Sequence, residues 1–270
     1  MNREKQKSIK RIVIKIGTSS LTHTTGKLNY RKIEEIAEVI CDIKNMGYEI
    51  VLVSSGAIGV GLSKIGLQKK PDETAKKQAL AAIGQSSLMA LYEELFGVYN
   101  CKTAQVLLTK TDLSSQASYD NIAGAFSNMF EYGVLPIVNE NDVVATDEIN
   151  AVNVFGDNDT LSAYVARFIK ADLLILWSDI DGLYNKDPRE DPEARIIPII
   201  TEVNDEIKKM AGGAGTSRSS KGRGGMVTKL NAAAIVLDAG IDMIITNSDR
   251  PQDLYEILKG KEIGTLFTSS

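Results

Sequence analysis

Six short apolar runs, separated by stretches whose apolar residues recur at helical spacing, constrain the fold of this chain more than any other feature. Arg11 to Ile16, Tyr48 to Val53 and residues 103–108, 134–138, 172–177 and 241–245 read as strands, with a last one over 263–267. Between them Ile33, Ile36, Ala37, Ile40 and Ile43 form one helical stripe, with Asn29 as its cap and Gly47 as its stop. Further helices are expected over about 73–96, 117–130, 157–169, 202–210 and 251–258, and from Gly56 and Met226 onward. Strands that alternate with amphipathic helices pack as a mainly parallel sheet covered on both faces. The fold class is therefore α/β, a three-layer α/β/α sandwich. With 270 residues and no internal repeat or clear linker, one domain is expected, and a boundary near residue 170 would divide it only into lobes sharing one sheet.

Composition removes several classes of function. A net charge of −4 argues against a general nucleic-acid binder, which needs clustered Lys and Arg. Lys15 interrupts the first apolar run, and no stretch reaches the length that crosses a bilayer, so no membrane partner is expected. Cys41 and Cys101 form neither a disulfide framework nor a metal-ligand spacing, which suits a reducing compartment and predicts a cytoplasmic protein. The single histidine, His23, lies in a Thr-rich loop and gives little support to Ser–His or Cys–His chemistry.

Two polar knots beside apolar runs point to the site. Asn139-Glu140-Asn141-Asp142 follows a strand, and Gly156-Asp157-Asn158-Asp159 opens a helix carrying Leu161, Tyr164, Val165 and Phe168 on one face. Both knots fall where open α/β sheets take their ligands. One of these residues is accounted for as a helix cap; six are not. Two Gly-rich turns, at Gly56 and at Gly224-Gly225, also open helices, and helix N-termini attract phosphate. No Walker spacing occurs, and Gly56-x-x-Gly59-x-Gly61 is only a weak relative of the dinucleotide fingerprint. Lys15 ends a strand beside Gly17, and Lys229 lies in the first turn after the second Gly loop. Compact ammonium groups there can neutralise a phosphoryl group in transfer, with Asp159 pinning both. A carboxylate acceptor would need no general base, because it is already ionised at neutral pH. Phosphorylation to an acyl phosphate fits this inventory.

An ordered motif set completes the reading: Lys15-Ile16-Gly17-Thr18-Ser19, Val53-Ser54-Ser55-Gly56-Ala57-Ile58, Ala82-Ile83-Gly84-Gln85, the two knots, and Gly224-Gly225-Met226-x-Thr228-Lys229. In this the chain resembles the amino acid kinase superfamily, and within it the branch acting on L-glutamate. The resemblance covers nearly the whole chain. It implies the amino acid kinase fold and transfer of phosphate from ATP, carrying Mg²⁺, to the side-chain carboxylate of L-glutamate, the first step of proline synthesis. Under it, Lys15 and Lys229 are transition-state lysines, Asp159 their organiser, and Gly17 and Gly56 donors to the γ-phosphate. Ser55, Asp142 and Asn158 contact glutamate, with Asp142 facing its ammonium. Lys15, Ser178, Asp179, Arg223, Gly224, Gly225, Met226, Val227, Thr228 and Lys229 form the ATP site, with residues 171–270 the ATP lobe and 1–170 the amino-acid lobe. It further implies feedback inhibition by proline, a homodimer or homotetramer, and a functional link to the reductase that consumes the acyl phosphate. Many relatives carry a C-terminal PUA domain; this sequence ends at Ser270 and is read as a kinase domain without one. Three readings compete: a sibling kinase acting on acetylglutamate, aspartate, carbamate or a nucleoside monophosphate; a non-catalytic amino-acid sensor; and a nicotinamide oxidoreductase. Retention of both lysines and Asp159 speaks against the sensor, and the missing fingerprint at the first strand turn against the oxidoreductase.

Overall fold

The structure, a computed structural model, describes residues 9–23, 25–113, 116–145, 157–213 and 225–269. Its strands are β1 (Arg11–Ile16), β2 (Glu49–Val53), β3 (Thr103–Leu108), β4 (Leu135–Glu140), β5 (Leu173–Ser178), β6 (Ile199–Ile200), β7 (Asp242–Asn247) and β8 (Thr265–Phe267). They form one eight-stranded sheet in the order β3-β4-β2-β1-β5-β7-β8-β6. Every neighbouring pair is parallel except β7 with β8. The expected single, mainly parallel sheet is present, and both halves of the chain contribute to it.

The helices are α1 (Thr18–Leu21), α2 (Tyr30–Asn45), α3 (Ala57–Lys64), α4 (Thr74–Val98), α5 (Gln116–Glu131), α6 (Asn158–Phe168), α7 (Asp205–Gly213), α8 (Met226–Asp238) and α9 (Asp253–Leu258). Central strands bury both faces, so β1 is apolar at Ile12, Val13 and Ile14 in succession. Ile12, Ile14 and Leu52 point into one core layer with Ile33, Ile36 and Ile40 of α2 and Leu88, Tyr92 and Phe96 of α4. Val13, Val51 and Val53 point into the other, with Leu161 and Val165 of α6 and Leu230 and Val236 of α8. Asn29 caps α2 by accepting from the Lys32 backbone N–H, and Gly47 ends that segment at φ +102°, as its sequence position predicts.

The elements that differ from expectation are short or terminal. β4 runs two residues past Val138, because Leu107 and Leu108 of β3 pair with Asn139 and Glu140. The first polar knot is thus partly strand, and Asn139 is held in the sheet. The connection after Ile16 contains α1, α7 begins at Asp205, and the two-residue β6 follows the Pro-containing segment that carried no strand signal.

α3 and α4 meet with almost no side chain between them. A Cβ on Gly84 would lie 1.8 Å from the Ala57 carbonyl oxygen and 2.6 Å from the Gly61 nitrogen. Gly84→Ala is therefore expected to force the helices apart at a cost of roughly 1–3 kcal/mol or more. A thermal melt reads this as a drop of several degrees, and an unchanged melting temperature would contradict the close approach. Because Ala57 follows Gly56, the same variant is expected to disturb the loop after β2.

Candidate functional site

The loops that leave the C-terminal ends of β1, β2, β4 and β5 open on one edge of the sheet, where α6 and α8 also begin. β1 lies between β2 and β5, which the chain enters by opposite routes, so this edge is a topological switch point. At its centre Lys15, the next-to-last residue of β1, places Nζ 2.6 Å from Asp159 Oδ1. Lys229, in the first turn of α8, places Nζ 3.1 Å from Asp159 Oδ2. The two lysines are buried and Asp159 is only 1% exposed. Thr228 adds its hydroxyl, which lies 2.8 Å from Asp159 Oδ2 and 2.8 Å from the Gly225 carbonyl. Within this trio two buried ammonium groups face one carboxylate, an imbalance suited to a bound anion.

The trio shapes its own titration. Burial pushes the Asp159 carboxyl up, but Lys15 and Lys229 together outweigh burial and bring it down to about 2. Lys15 is held below the usual lysine value, chiefly by burial and further by Lys229, with Asp159 opposing both. Asp157 goes the other way: burial and the neighbouring Asp159 charge raise it, against the hydrogen bonds from Thr160.

Glycines line the space beside the ammonium groups. A methyl at Gly17 would sit 3.5 Å from Lys15 Nζ. Gly56 adopts φ +92°, which favours glycine, and a Cβ there would lie 3.3 Å from Thr18 Cγ2. Gly56 and Gly225 are the N-caps of α3 and α8, and neither helix has a side chain capping it, whereas Asp157 caps α6 by accepting from the Thr160 N–H at 2.8 Å. Glycine-capped helix ends of this kind leave N–H groups for an anion.

The polar knots meet on the β2 and β4 side. Asn158 Nδ2 donates to the Ser54 carbonyl, to Ser55 Oγ at 2.9 Å and to Asn139 Oδ1 at 2.9 Å. Asn139 Nδ2 donates to Gln85 Oε1 at 2.8 Å, and Ser54 Oγ pairs with the buried Tyr92 hydroxyl at 2.7 Å. Asp142 lies in the turn directly after β4, half-buried. On the other side, Ser178 ends β5, and its hydroxyl donates to Asp179 at 3.1 Å. Met226, Val227 and Thr228 form the first turn of α8.

The structure thus gathers Lys15, Gly17, Asp159, Thr228 and Lys229 into one cluster and Ser55, Asn139 and Asn158 into a second, reached from the same helix start. Arg223, Gly224, Gly156 and the spacer 146–155 lie outside the described residues. Among the described residues no group of three His, Cys, Asp or Glu side chains could hold a metal ion. His23 is exposed, and Cys41 and Cys101 are free and buried. Neither Gln85 nor Tyr92 carries a site signal in the sequence: the partner of Gln85 lies 54 positions away, and Tyr92 reads as plain core.

Similarity to known proteins bears on the family and the fold. The sequence profile described as the amino acid kinase family matches residues 10–247. Glutamate 5-kinase of Clostridium perfringens is 49% identical over 267 residues, covering 99% of this chain and 98% of that protein. Glutamate 5-kinase of Lactococcus lactis subsp. lactis is 48% identical, covering 99% and 98%. That of Carboxydothermus hydrogenoformans is 50% identical, and 69% of its length is covered by 98% of this chain. Among solved structures, carbamate kinase from Giardia lamblia bound to AMP-PNP aligns with a TM-score of 0.68 at 17% identity, over 97% of this chain and 99% of that one. An isopentenyl phosphate kinase product complex from T. acidophilum aligns at 0.64, also at 17% identity, over 95% and 99%. At that identity the two structures share the fold.

Proposed function

The chain belongs to the amino acid kinase family, and from that premise we propose that it transfers the γ-phosphoryl group of ATP to the side-chain carboxylate of L-glutamate, giving L-glutamyl 5-phosphate. The observation that carries this reading is the pair of buried lysines on one buried carboxylate, beside two glycine-capped helix starts. Phosphoryl transfer asks the protein mainly for positioning and for charge on the transferred group. Lys15 and Lys229 supply that charge, and Asp159 holds both against their mutual repulsion. Backbone N–H groups at Gly17 and Gly56 receive phosphate oxygens. The acceptor carboxylate is ionised at neutral pH, so no side chain has to remove a proton.

Ser55 and Asn158 hold the amino acid, and Asp142 takes its ammonium. Ser178, Asp179 and the start of α8 from Gly225 to Lys229 hold the nucleotide, with Arg223 and Gly224 completing that site. Mg²⁺ travels on the nucleotide phosphates, as it commonly does with few protein ligands, and there neutralises phosphate charge. We also propose a single kinase domain whose amino-acid lobe is residues 1–170 and whose ATP lobe is 171–270, working as a homo-oligomer in the cytoplasm. The free Cys41 and Cys101 thiols support that compartment, and no described helix is long and apolar enough to cross a membrane. Proline as feedback inhibitor and a reductase as consumer of the acyl phosphate follow from the same reading.

Incubation with Mg-ATP, hydroxylamine and L-glutamate, N-acetylglutamate, L-aspartate or carbamate is expected to give hydroxamate and ADP together with L-glutamate only. ADP formed with another acceptor alone would reassign the substrate, and no turnover with any acceptor would overturn the enzyme reading. Asp142→Ala is expected to raise the L-glutamate KM about tenfold or more through loss of a charge-assisted contact. Its ATP KM should stay unchanged, and an unaltered glutamate KM would remove Asp142 from the substrate site.

A further inference from the structure

α4 reaches the amino-acid side of the site through two glutamines. Gln78, Ala81, Gln85 and Leu88 recur on one helical stripe, and Ala81 and Leu88 are buried in the core. Gln78 Nε2 donates to the Ala145 carbonyl at 3.1 Å, and Gln85 Oε1 accepts from Asn139 Nδ2 at 2.8 Å. The pair therefore grips both ends of the segment 139–145, which contains Asp142.

Resting on the glutamate-kinase reading, we propose that Gln85, assisted by Gln78, is a positioning residue for the amino-acid substrate, acting through Asn139 on Asn158 and through the 139–145 segment on Asp142. The polarity of this relay is set by backbone groups that cannot exchange roles. The Glu140 N–H, 2.9 Å from Asn139 Oδ1, requires an acceptor there, so Asn139 turns its donor to Gln85. The Ser54 carbonyl requires a donor from Asn158, so that amide turns its nitrogen toward Ser54, Ser55 and Asn139, its two hydrogens being shared among the three acceptors. Its carbonyl oxygen is then the group Asn158 offers to a ligand, an acceptor suited to an ammonium. Gln85 closes the relay at its far end by accepting from a residue only 3% exposed. Without that acceptor the Asn139 donor is left buried and unpaired, and the amide must rotate or admit water.

The test compares Gln85→Leu, Gln85→Glu and Gln78→Leu with the wild-type protein in the hydroxamate assay. Gln85→Leu is expected to raise the L-glutamate KM about tenfold, and Gln78→Leu about threefold, with the ATP KM unchanged. Gln85→Glu keeps the accepting oxygen and is expected to restore most of the glutamate KM. A merely structural role would move both KM values and would not be rescued by the acceptor. Should Gln85→Leu fail to fold, Gln85→Asn, whose shorter side chain withdraws the carbonyl, replaces it and carries the same expectation. An unchanged glutamate KM, an equal rise in the ATP KM, or no recovery in Gln85→Glu overturns the proposal while the glutamate reading stands. A wild-type protein without glutamate-dependent turnover overturns both.

Discussion

Lys229→Met and Lys15→Met are each expected to fold, to bind ATP, and to turn over L-glutamate about a hundredfold to a thousandfold more slowly, the usual loss when one charge-stabilising group leaves a transition state. The size follows from burial. Both side chains are under a tenth exposed, so their charges act on a transferred phosphoryl group through little water, where electrostatic contacts exceed those in solvent. The loss should fall on kcat, with the glutamate KM nearly unchanged, because neither lysine belongs to the cluster of Ser55, Asn139 and Asn158. Stability gives the second readout. The wild-type trio sets two ammonium groups against one carboxylate, so removing one lysine leaves a balanced ion pair, and methionine retains much of the buried stem. Thermal melts should therefore show little loss in either variant. A kcat within tenfold of wild type in both would reduce the trio to a buried structural ion pair and remove the proposed chemistry.

Much of this arrangement was legible in the sequence because each legible part carries a local signature. The β1, β2 and β5 runs are apolar on both faces, and Ile33 to Ile43 repeat with helical period, so the elements and the parallel sheet follow from spacing alone. Lys15 was conspicuous because it interrupts such a run. β6 and α1, at two and four residues, are too short to show a period. The antiparallel β8 has no local sign of its direction, since orientation depends on where the chain returns. In the site, residue types were readable but pairings were not. The bond from Asn158 to Ser55 spans 103 positions and the one from Asn139 to Gln85 spans 54, and only the fold brings them together. Glycine at position 84 carries no steric signal in the sequence, whereas the structure gives it a steric reason in the Ala57 carbonyl.

Asp159→Asn is expected to be the more damaging substitution, because it leaves two buried ammonium groups with no opposing charge in the trio. Removing one partner of a buried ion pair costs about 3–5 kcal/mol. Here the loss has an outlet: Lys15, already held below the usual lysine value, also loses the neighbour that most opposes this shift. Its pKa should fall further, so that the variant relieves repulsion by giving up a proton. Lys15 is expected to set the alkaline limb of kcat, and that limb is therefore expected to move toward neutral pH in the variant. Turnover at neutral pH should drop about a hundredfold or more. The acid side has the opposite sign. Asp159 ionises at about 2 in the folded protein against an ordinary value of 3.8, so its stabilising contribution is complete above 3.8 and is lost as pH falls toward 2. Wild type should lose that contribution across this window, and Asp159→Asn should lack the corresponding slope while melting lower at neutral pH. Coincident alkaline limbs in the two proteins would mean that Asp159 does not hold the Lys15 proton in place, and the organiser role assigned to it would fall.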